Sequence, residues 1–361
     1  MCALARSVRV VAWLTTLVVL VASIGCNGGG GAGSTGPVSL HGAGASFPNP
    51  LYQKWVSEYG NLHQNTRIDY QSIGSGGGIK QLKEQTVDFG ASDAPLKDED
   101  AKSFPGEVVH IPTVLGAVVI TYNLPGLNQP LRFSSDVIAD IYLGKIKKWN
   151  DARITADNPG VTLPANDIVV VHRSDSSGTS AVFTDFLAKI SAEWKDKVGT
   201  GVQPSWPIGL GGKGNEGVTG QVKNTPNTIG YVELAYAGQN KLPVAHIKNQ
   251  SGSFVEPTID AVTAAAASFA SSTPDDLRVS ITNAPGPTVY PISNYTYILV
   301  YKDQKDAGKG KAVVDFLWWG IHDGQSFAQA LQYAPLPADI VRRAEAKIKS
   351  ITSGGSALRQ T

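Results

Sequence analysis

From about residue 38 onward, short apolar runs alternate with segments whose apolar positions recur three and four apart. The first run, around Leu40, meets Gly42-Ala43-Gly44 and then Ser46, Pro48 and Pro50, after which Leu51, Tyr52, Trp55 and Val56 fall at helical spacing. Residues 68–73 alternate like a strand and enter Gly74-Ser75-Gly76-Gly77-Gly78 ahead of a helical pattern over 79–83. Residues 87–95 read as a strand that carries Asp93 to its end. Residues 108–122 are rich in valine and isoleucine, as expected of buried strands in an α/β sheet. Ser135-Asp136 is expected to cap a helix over 137–142, and a strand over 168–171 runs into Arg173-Ser174-Asp175-Ser176-Ser177-Gly178-Thr179-Ser180, followed by the helical pattern of 181–187. A strand at 229–232, an alanine-rich helix over 261–270, a strand over 296–301 and helices over 311–319 and 338–351 complete the order. Strands alternating with helices predict an α/β protein.

Three of these strand-to-helix junctions share one chemistry. A helix start leaves backbone N–H groups unpaired and a partial positive charge facing outward, which suits an anion. Residues 173–180 add an arginine fork, the hydroxyls of Ser177 and Thr179, and a glycine, Gly178, that admits close approach of backbone. The segments 42–50 and 74–78 repeat the geometry with Ser46 and Ser75. A single capped helix beside a surface arginine would need no ligand; recurrence of the pattern is what points to an anion site. Asp93, standing alone before Ala94-Pro95, is by itself more readily a turn former, and the lysines of 144–149 read as a solvated turn.

Charge and composition narrow the partners. The 361 residues are 42% hydrophobic and 17% charged, with 31 Lys and Arg against 30 Asp and Glu, so any anion site must be local and no nucleic-acid partner is expected. Residues 1–25 read as a signal peptide: Arg6 and Arg9 precede an apolar stretch over 10–21 that is too short to span a bilayer, and small residues lead to Gly25-Cys26. Ser23-Ile24-Gly25-Cys26 resembles a bacterial lipobox, which implies that Cys26 is lipidated and becomes the mature N-terminus. Ser23 stands where leucine is commonest, so plain cleavage and simple membrane retention remain alternatives. Cys2 lies within the removed segment, which leaves no intrachain disulfide. Loss of residues 1–25 leaves 29 basic residues against 30 acidic, a formal charge of −1. The glycine-rich residues 26–37 read as a flexible tether.

Enzyme motifs do not fit. Gly209-Leu210-Gly211-Gly212-Lys213-Gly214 matches the dinucleotide fingerprint in letters, but Trp206-Pro207-Ile208 before it is no clean strand, and Lys213 is not followed by Ser or Thr as in a P-loop. The six histidines show no metal-ligand spacing, and no serine sits in a nucleophile elbow. No catalytic residue, metal or cofactor is expected.

Taken in order, residues 42–48, 74–78, 88–95, 141–149, 173–180 and 209–215 closely resemble the phosphate-binding protein of the bacterial high-affinity ABC phosphate importer, from about Leu40 to the C-terminus. The resemblance implies a two-lobe periplasmic-binding-protein fold with hinge crossover strands and phosphate sealed in the cleft between lobes. It places lobe one at 38–121 plus 290–361 and lobe two at 122–289, with crossovers near 118–122 and 290–298. Carried onto this chain, the family's phosphate contacts fall on Ser46 with the backbone of Phe47, Ser75, Asp93, Arg173, Ser177, Gly178 and Thr179, with Asp175 pairing behind Arg173. Ser46 stands where relatives have threonine, and Gly76 replaces a serine of some relatives. The implied protein is a monomeric solute-binding protein, periplasmic or on the cell surface, that is lipid-anchored to the membrane and delivers phosphate to permease subunits. Two other readings are an exported binder of sulfate, arsenate or molybdate, and an exported hydrolase of phosphate esters.

Overall fold

The computed structural model describes residues 36–127 and 129–360; the signal peptide over 1–25, Cys26 and all but the last two residues of the tether lie outside them. Strand β1 (Val38–Gly44) leads to helix α1 (Asn49–Leu62), β2 (Thr66–Ser72), α2 (Ser75–Lys83), β3 (Phe89–Ser92) and a short α3 (Asp98–Ala101). A long β4 (Val108–Asn123) carries the chain into β5 (Arg132–Phe133), α4 (Ser135–Tyr142), α5 (Ala152–Asp157), β6 (Val169–Arg173), α6 (Gly178–Ile190) and α7 (Ala192–Lys197). Then come β7 (Leu210–Gly212), α8 (Gly214–Asn224), β8 (Thr228–Glu233), α9 (Leu234–Gln239), β9 (His246–Lys248), β10 (Phe254–Val255) and α10 (Ile259–Ser268). Strand β11 (Ser293–Tyr301) returns to the first half, followed by α11 (Ala307–Ile321) and α12 (Ala338–Lys349).

The fold is the two-lobe α/β arrangement. Its main sheet runs β2-β1-β3-β11-β4-β8-β6-β7, and the smaller sheet runs β10-β9-β5. The two halves share β4. Residues 108–117 of β4 pair antiparallel with β11, whereas Val118 onward pairs antiparallel with β8, so one strand changes partner between Ala117 and Val118. All but the two end residues of β4 are buried, which is why its sequence is rich in valine and isoleucine on both sides of the change in partner. The sequence led us to expect several strands here, and the chain makes one.

Two further expectations are corrected. The glycines of 74–78 are not a loop before a helix: Ser75 opens α2, and Gly76, Gly77 and Gly78 are helical. Glycine disfavours helix by about 1 kcal/mol per residue, but packing requires it at position 78, where a Cβ would lie 2.3 Å from the Ala43 carbonyl oxygen. Nor does Ser135-Asp136 cap α4. Ser134 holds the N-cap position, and the Ser135 hydroxyl instead donates to the Lys248 carbonyl at 2.8 Å. The lysines of 144–149 are exposed, as expected of a solvated turn, while Ile146 and Trp149 beside them are buried.

Candidate functional site

Four helix starts meet at the junction of the two halves. Strand β1 ends at Gly44 and delivers Ser46 and Phe47 just ahead of α1; β2 delivers Ser75 at the first turn of α2; β6 delivers Arg173 and, beyond it, Ser177, Gly178 and Thr179 at the start of α6. The fourth start, that of α8, brings Asn215. Ser46, Phe47, Ser75, Asp93, Arg173, Ser177 and Thr179 are all at most 2% exposed, so every side chain singled out for an anion site is enclosed. Contacts across the halves hold them together. The Gly178 N–H donates to Ser75 Oγ at 3.1 Å, the Gly76 N–H to the Ser176 carbonyl at 3.0 Å, and the Asn215 Nδ2 amide to Ser46 Oγ at 2.9 Å.

Gly178 marks a close approach between the halves. A Cβ there would lie 2.3 Å from Ser75 Oγ and 2.6 Å from Asp93 Oδ2, both closer than atoms can stand, so any larger residue must push the halves apart.

Three hydroxyls in this cluster are polarised alike. Ser46 Oγ accepts from the Asn215 N–H at 3.2 Å and from its Nδ2 at 2.9 Å. Ser75 Oγ accepts from the N–H of Asp93 at 3.3 Å and of Gly178 at 3.1 Å. Thr179 Oγ1 accepts from Arg173 Nη1 at 3.3 Å and from Asn215 Nδ2 at 3.2 Å. A hydroxyl offers two acceptor sites and one proton. With both acceptor sites of each occupied, all three can turn only a proton toward a ligand. Such a cradle suits a group made of acceptors, which is what an oxyanion is.

The charges are arranged to leave little net field. Arg173 Nε and Nη2 form a two-point fork on Asp175, at 2.7 Å to Oδ1 and 2.6 Å to Oδ2. Burial opposes both charges, but mutual pairing outweighs it: Arg173 is held above its ordinary range and Asp175 below. Asp175 Oδ1 also accepts from the Gly214 N–H at 3.0 Å, tying the arginine to the start of α8.

Asp93 is the exception among the donors. Burial pushes its pKa up to about 7, against the pull of Thr296, Arg173 and Thr179. Its Oδ1 accepts from Thr296 Oγ1 at 2.8 Å, while its buried Oδ2 has no partner. The carboxylate therefore does not act as a turn former; it faces the cradle with one oxygen spent and one open.

Sequence reasoning missed Asn215, Thr296 and Tyr231. Asn215 follows the glycine run that was set aside as a poor nucleotide motif, and the useful signal there was the helix start rather than the letters. Its amide orientation is fixed by Oδ1, which accepts from the Glu233 N–H at 3.0 Å. Tyr231 lies inside a predicted strand, where nothing local distinguishes it, yet its hydroxyl accepts from the Arg173 N–H at 3.0 Å and meets Ser180 Oγ at 2.6 Å. Among the described residues no cluster of His, Cys, Asp and Glu could hold a metal ion.

The chain is similar to several known proteins. Residues 31–318 match the PBP superfamily domain. The chain is 46% identical over 316 residues to the phosphate-binding protein PstS of Xylella fastidiosa, covering 87% of this chain and 86% of that protein. It is 44% identical over 313 residues to PstS of Pasteurella multocida, with 86% and 90% covered, and 39% identical over 357 residues to PstS of Methanocaldococcus jannaschii, with 91% and 92% covered. Among solved structures, a high affinity periplasmic phosphate-binding protein bound with phosphate shares the fold at a TM-score of 0.68 and 23% identity, covering 86% of this chain and 93% of that one. A putative phosphate ABC transporter substrate-binding protein with bound phosphate from Clostridium perfringens does so at 0.62 and 19%, covering 83% and 100%.

Proposed function

This chain belongs to the phosphate-binding proteins of the PBP superfamily, and from that premise we propose that it captures inorganic phosphate outside the cytoplasm and delivers it to an ABC importer. One observation carries the reading at the level of residues: three buried hydroxyls able only to donate surround a single open acceptor, Asp93 Oδ2. Phosphate near neutral pH carries acceptor oxygens and at least one O–H. Sulfate carries acceptors alone.

Each group then has a role. The hydroxyls of Ser46, Ser75 and Thr179 donate to phosphate oxygens, joined by Ser177, by the backbone N–H of Phe47 and by the free edge of Arg173, while Gly178, whose N–H holds Ser75 Oγ, lets the backbone come close to the ligand. Asp175 acts through Arg173, fixing the direction of its fork. Asp93 accepts the phosphate O–H. Affinity rests on many directed hydrogen bonds rather than on net charge, since Asp175 already offsets Arg173.

The relatives are named as binding proteins, and we read this chain likewise as a binder, without catalysis. Division into a lobe of 38–121 plus 290–361 and a lobe of 122–289 is supported by the partner change within β4 and by the return of the chain through β11. Export by the 1–25 segment, anchoring through Cys26, a periplasmic or cell-surface location and docking of a monomer on permease subunits complete the proposal. No described helix is long and apolar enough to cross a membrane.

Titration calorimetry of the chain from residue 36 onward with phosphate, sulfate and arsenate, beside an assay for turnover of a chromogenic phosphate ester, tests the reading. It expects tight phosphate binding, far weaker sulfate binding and no turnover. Comparable sulfate binding would point to a general oxyanion binder, and turnover to a hydrolase.

A further inference from the structure

Asp93 is held by one strand at two points. Strand β11 pairs with β3 only through Tyr297, Ile298 and Leu299, opposite Ser92, Ala91 and Gly90. Beyond that pairing, two residues on one face of β11 reach Asp93 with their side chains. Asn294 Nδ2 donates to the Asp93 carbonyl at 2.6 Å, and Thr296 Oγ1 donates to Asp93 Oδ1 at 2.8 Å. All three residues are buried.

Thr296 itself is fixed from behind. The β4–β11 register shifts between Thr296 and Tyr297, whose partners are Val114 and Pro112, so Thr113 is the extra residue of a bulge. Its hydroxyl donates to the Thr296 carbonyl at 3.2 Å and meets the Tyr52 hydroxyl at 2.7 Å. Thr113 has one proton and has spent it on Thr296, so Tyr52 is the donor in the second bond.

We propose that Thr296 is the positioning residue for discrimination between a protonated and an unprotonated tetrahedral oxyanion: its hydroxyl occupies Oδ1 of Asp93 and leaves Oδ2 as the one acceptor presented to a ligand O–H. The inference rests on the reading of Asp93 as the phosphate-selective group. Without the Thr296 proton, Asp93 would have two unmet oxygens in a buried site, and it would take up a proton more readily. A protonated Asp93 donates, and donation is what sulfate needs from this position.

The groups around Asp93 favour this division. Arg173 of β6 is the cation that stabilises its ionised form, and Thr179 of α6 assists. Tyr52 of α1, Tyr70 of β2 and Tyr333 also face it, and all three are held protonated by burial. Glu233 of β8 is itself held well above the ordinary carboxylate range by burial. Thr296, Arg173 and Thr179 are thus the supports that a substitution can remove; replacing Arg173 also removes a charge and replacing Thr179 also removes a donor of the cradle, whereas Thr296 reaches Asp93 from behind.

Phosphate and sulfate dissociation constants measured from about pH 5 to 9 test the inference on Thr296→Val, Thr296→Ala, Thr296→Ser, Asp93→Asn and wild type. The wild-type preference for phosphate should widen as pH rises and Asp93 ionises. Removing the hydroxyl, with valine or alanine, should move that rise to higher pH by about half a unit or more and narrow the preference at neutral pH about threefold or more, while serine should track wild type. Asp93→Asn should flatten the part of the profile that belongs to Asp93. Because the protonation of phosphate is common to all variants, the difference from wild type isolates the protein. If the hydroxyl-free variants follow the wild-type profile while Asp93→Asn departs from it, the inference on Thr296 is wrong and the reading of Asp93 survives. If Asp93→Asn also follows wild type, both fall.

Discussion

Arg173 brings the one full positive charge among the residues gathered at the site, and it is already committed to Asp175 through a two-point fork. What remains for a ligand is the free edge of the guanidinium, whose direction that fork fixes. A charge-assisted contact of this kind contributes on the order of 1.5–3 kcal/mol, and removal leaves Asp175 half-buried and unpaired. Arg173→Ala should therefore weaken phosphate binding roughly tenfold to a hundredfold by calorimetry; unaltered affinity would place Arg173 outside the site. Asp93 supplies a prediction of opposite kind, in the ligand-free protein. Its folded pKa of about 7 lies above the ordinary 3.8, so between those values the folded state binds more proton than the unfolded. Stability from this group is then greatest below about pH 4, is lost as pH rises toward 7, and is flat above, with a total on the order of a few kcal/mol. Urea denaturation across that range should show a shallower decline for Asp93→Asn than for wild type, and parallel curves would mean that Asp93 titrates normally.

At the scale of elements, the site consists of helix starts and the strands that aim them. Gly178 opens α6, where alanine would favour the helix itself. Its missing Cβ is nevertheless what lets the halves close on Ser75 and Asp93. Gly178→Ala should accordingly leave the melting temperature of the ligand-free protein nearly unchanged and weaken phosphate at least about tenfold, the equivalent of about 1.4 kcal/mol; equal losses in both would indicate a general packing defect. The same scale decides what could be read in advance. The starts of α1, α2 and α6 carry local marks, namely serines, glycines and an arginine next to a periodic apolar pattern, and Ser46, Ser75 and Arg173 were legible from them. Asn215 and Thr296 were not. Each acts on a residue far away in sequence, Asn215 on Ser46 and Thr296 on Asp93, and nothing near either one encodes the partner. The glycine run of α2 misled for a related reason, since local propensity opposes helix there and the close approach of α2 to β1 overrides it.

For the whole molecule, the alternation of strands and helices was enough for an α/β fold, while the order of the sheet was not contained in any local pattern. The joining of the halves depends on β4 changing partner inside one continuous buried strand, and a buried strand looks the same whichever neighbour it pairs with. Cys26 and most of the tether stand outside the described residues, and their role is testable in the cell. Cys26→Ala should release the protein into soluble fractions or stop its processing, as followed by membrane fractionation and intact mass; unchanged partition and mass would dismiss the anchor.

An enclosed set of donors with one acceptor selects a protonated oxyanion. The most direct measurement is the ratio of sulfate to phosphate dissociation constants for wild type and Asp93→Asn, by calorimetry at one salt concentration and a pH above 7, where Asp93 is ionised. Sites that leave a buried polar group unpaired reject the analogue by about 10⁴–10⁵, so wild type should favour phosphate by a factor approaching that range. Asp93→Asn, which offers an amide donor of nearly the same shape, should narrow the ratio at least about tenfold. A wild-type ratio near one, or a ratio that the substitution leaves unchanged, would contradict the account.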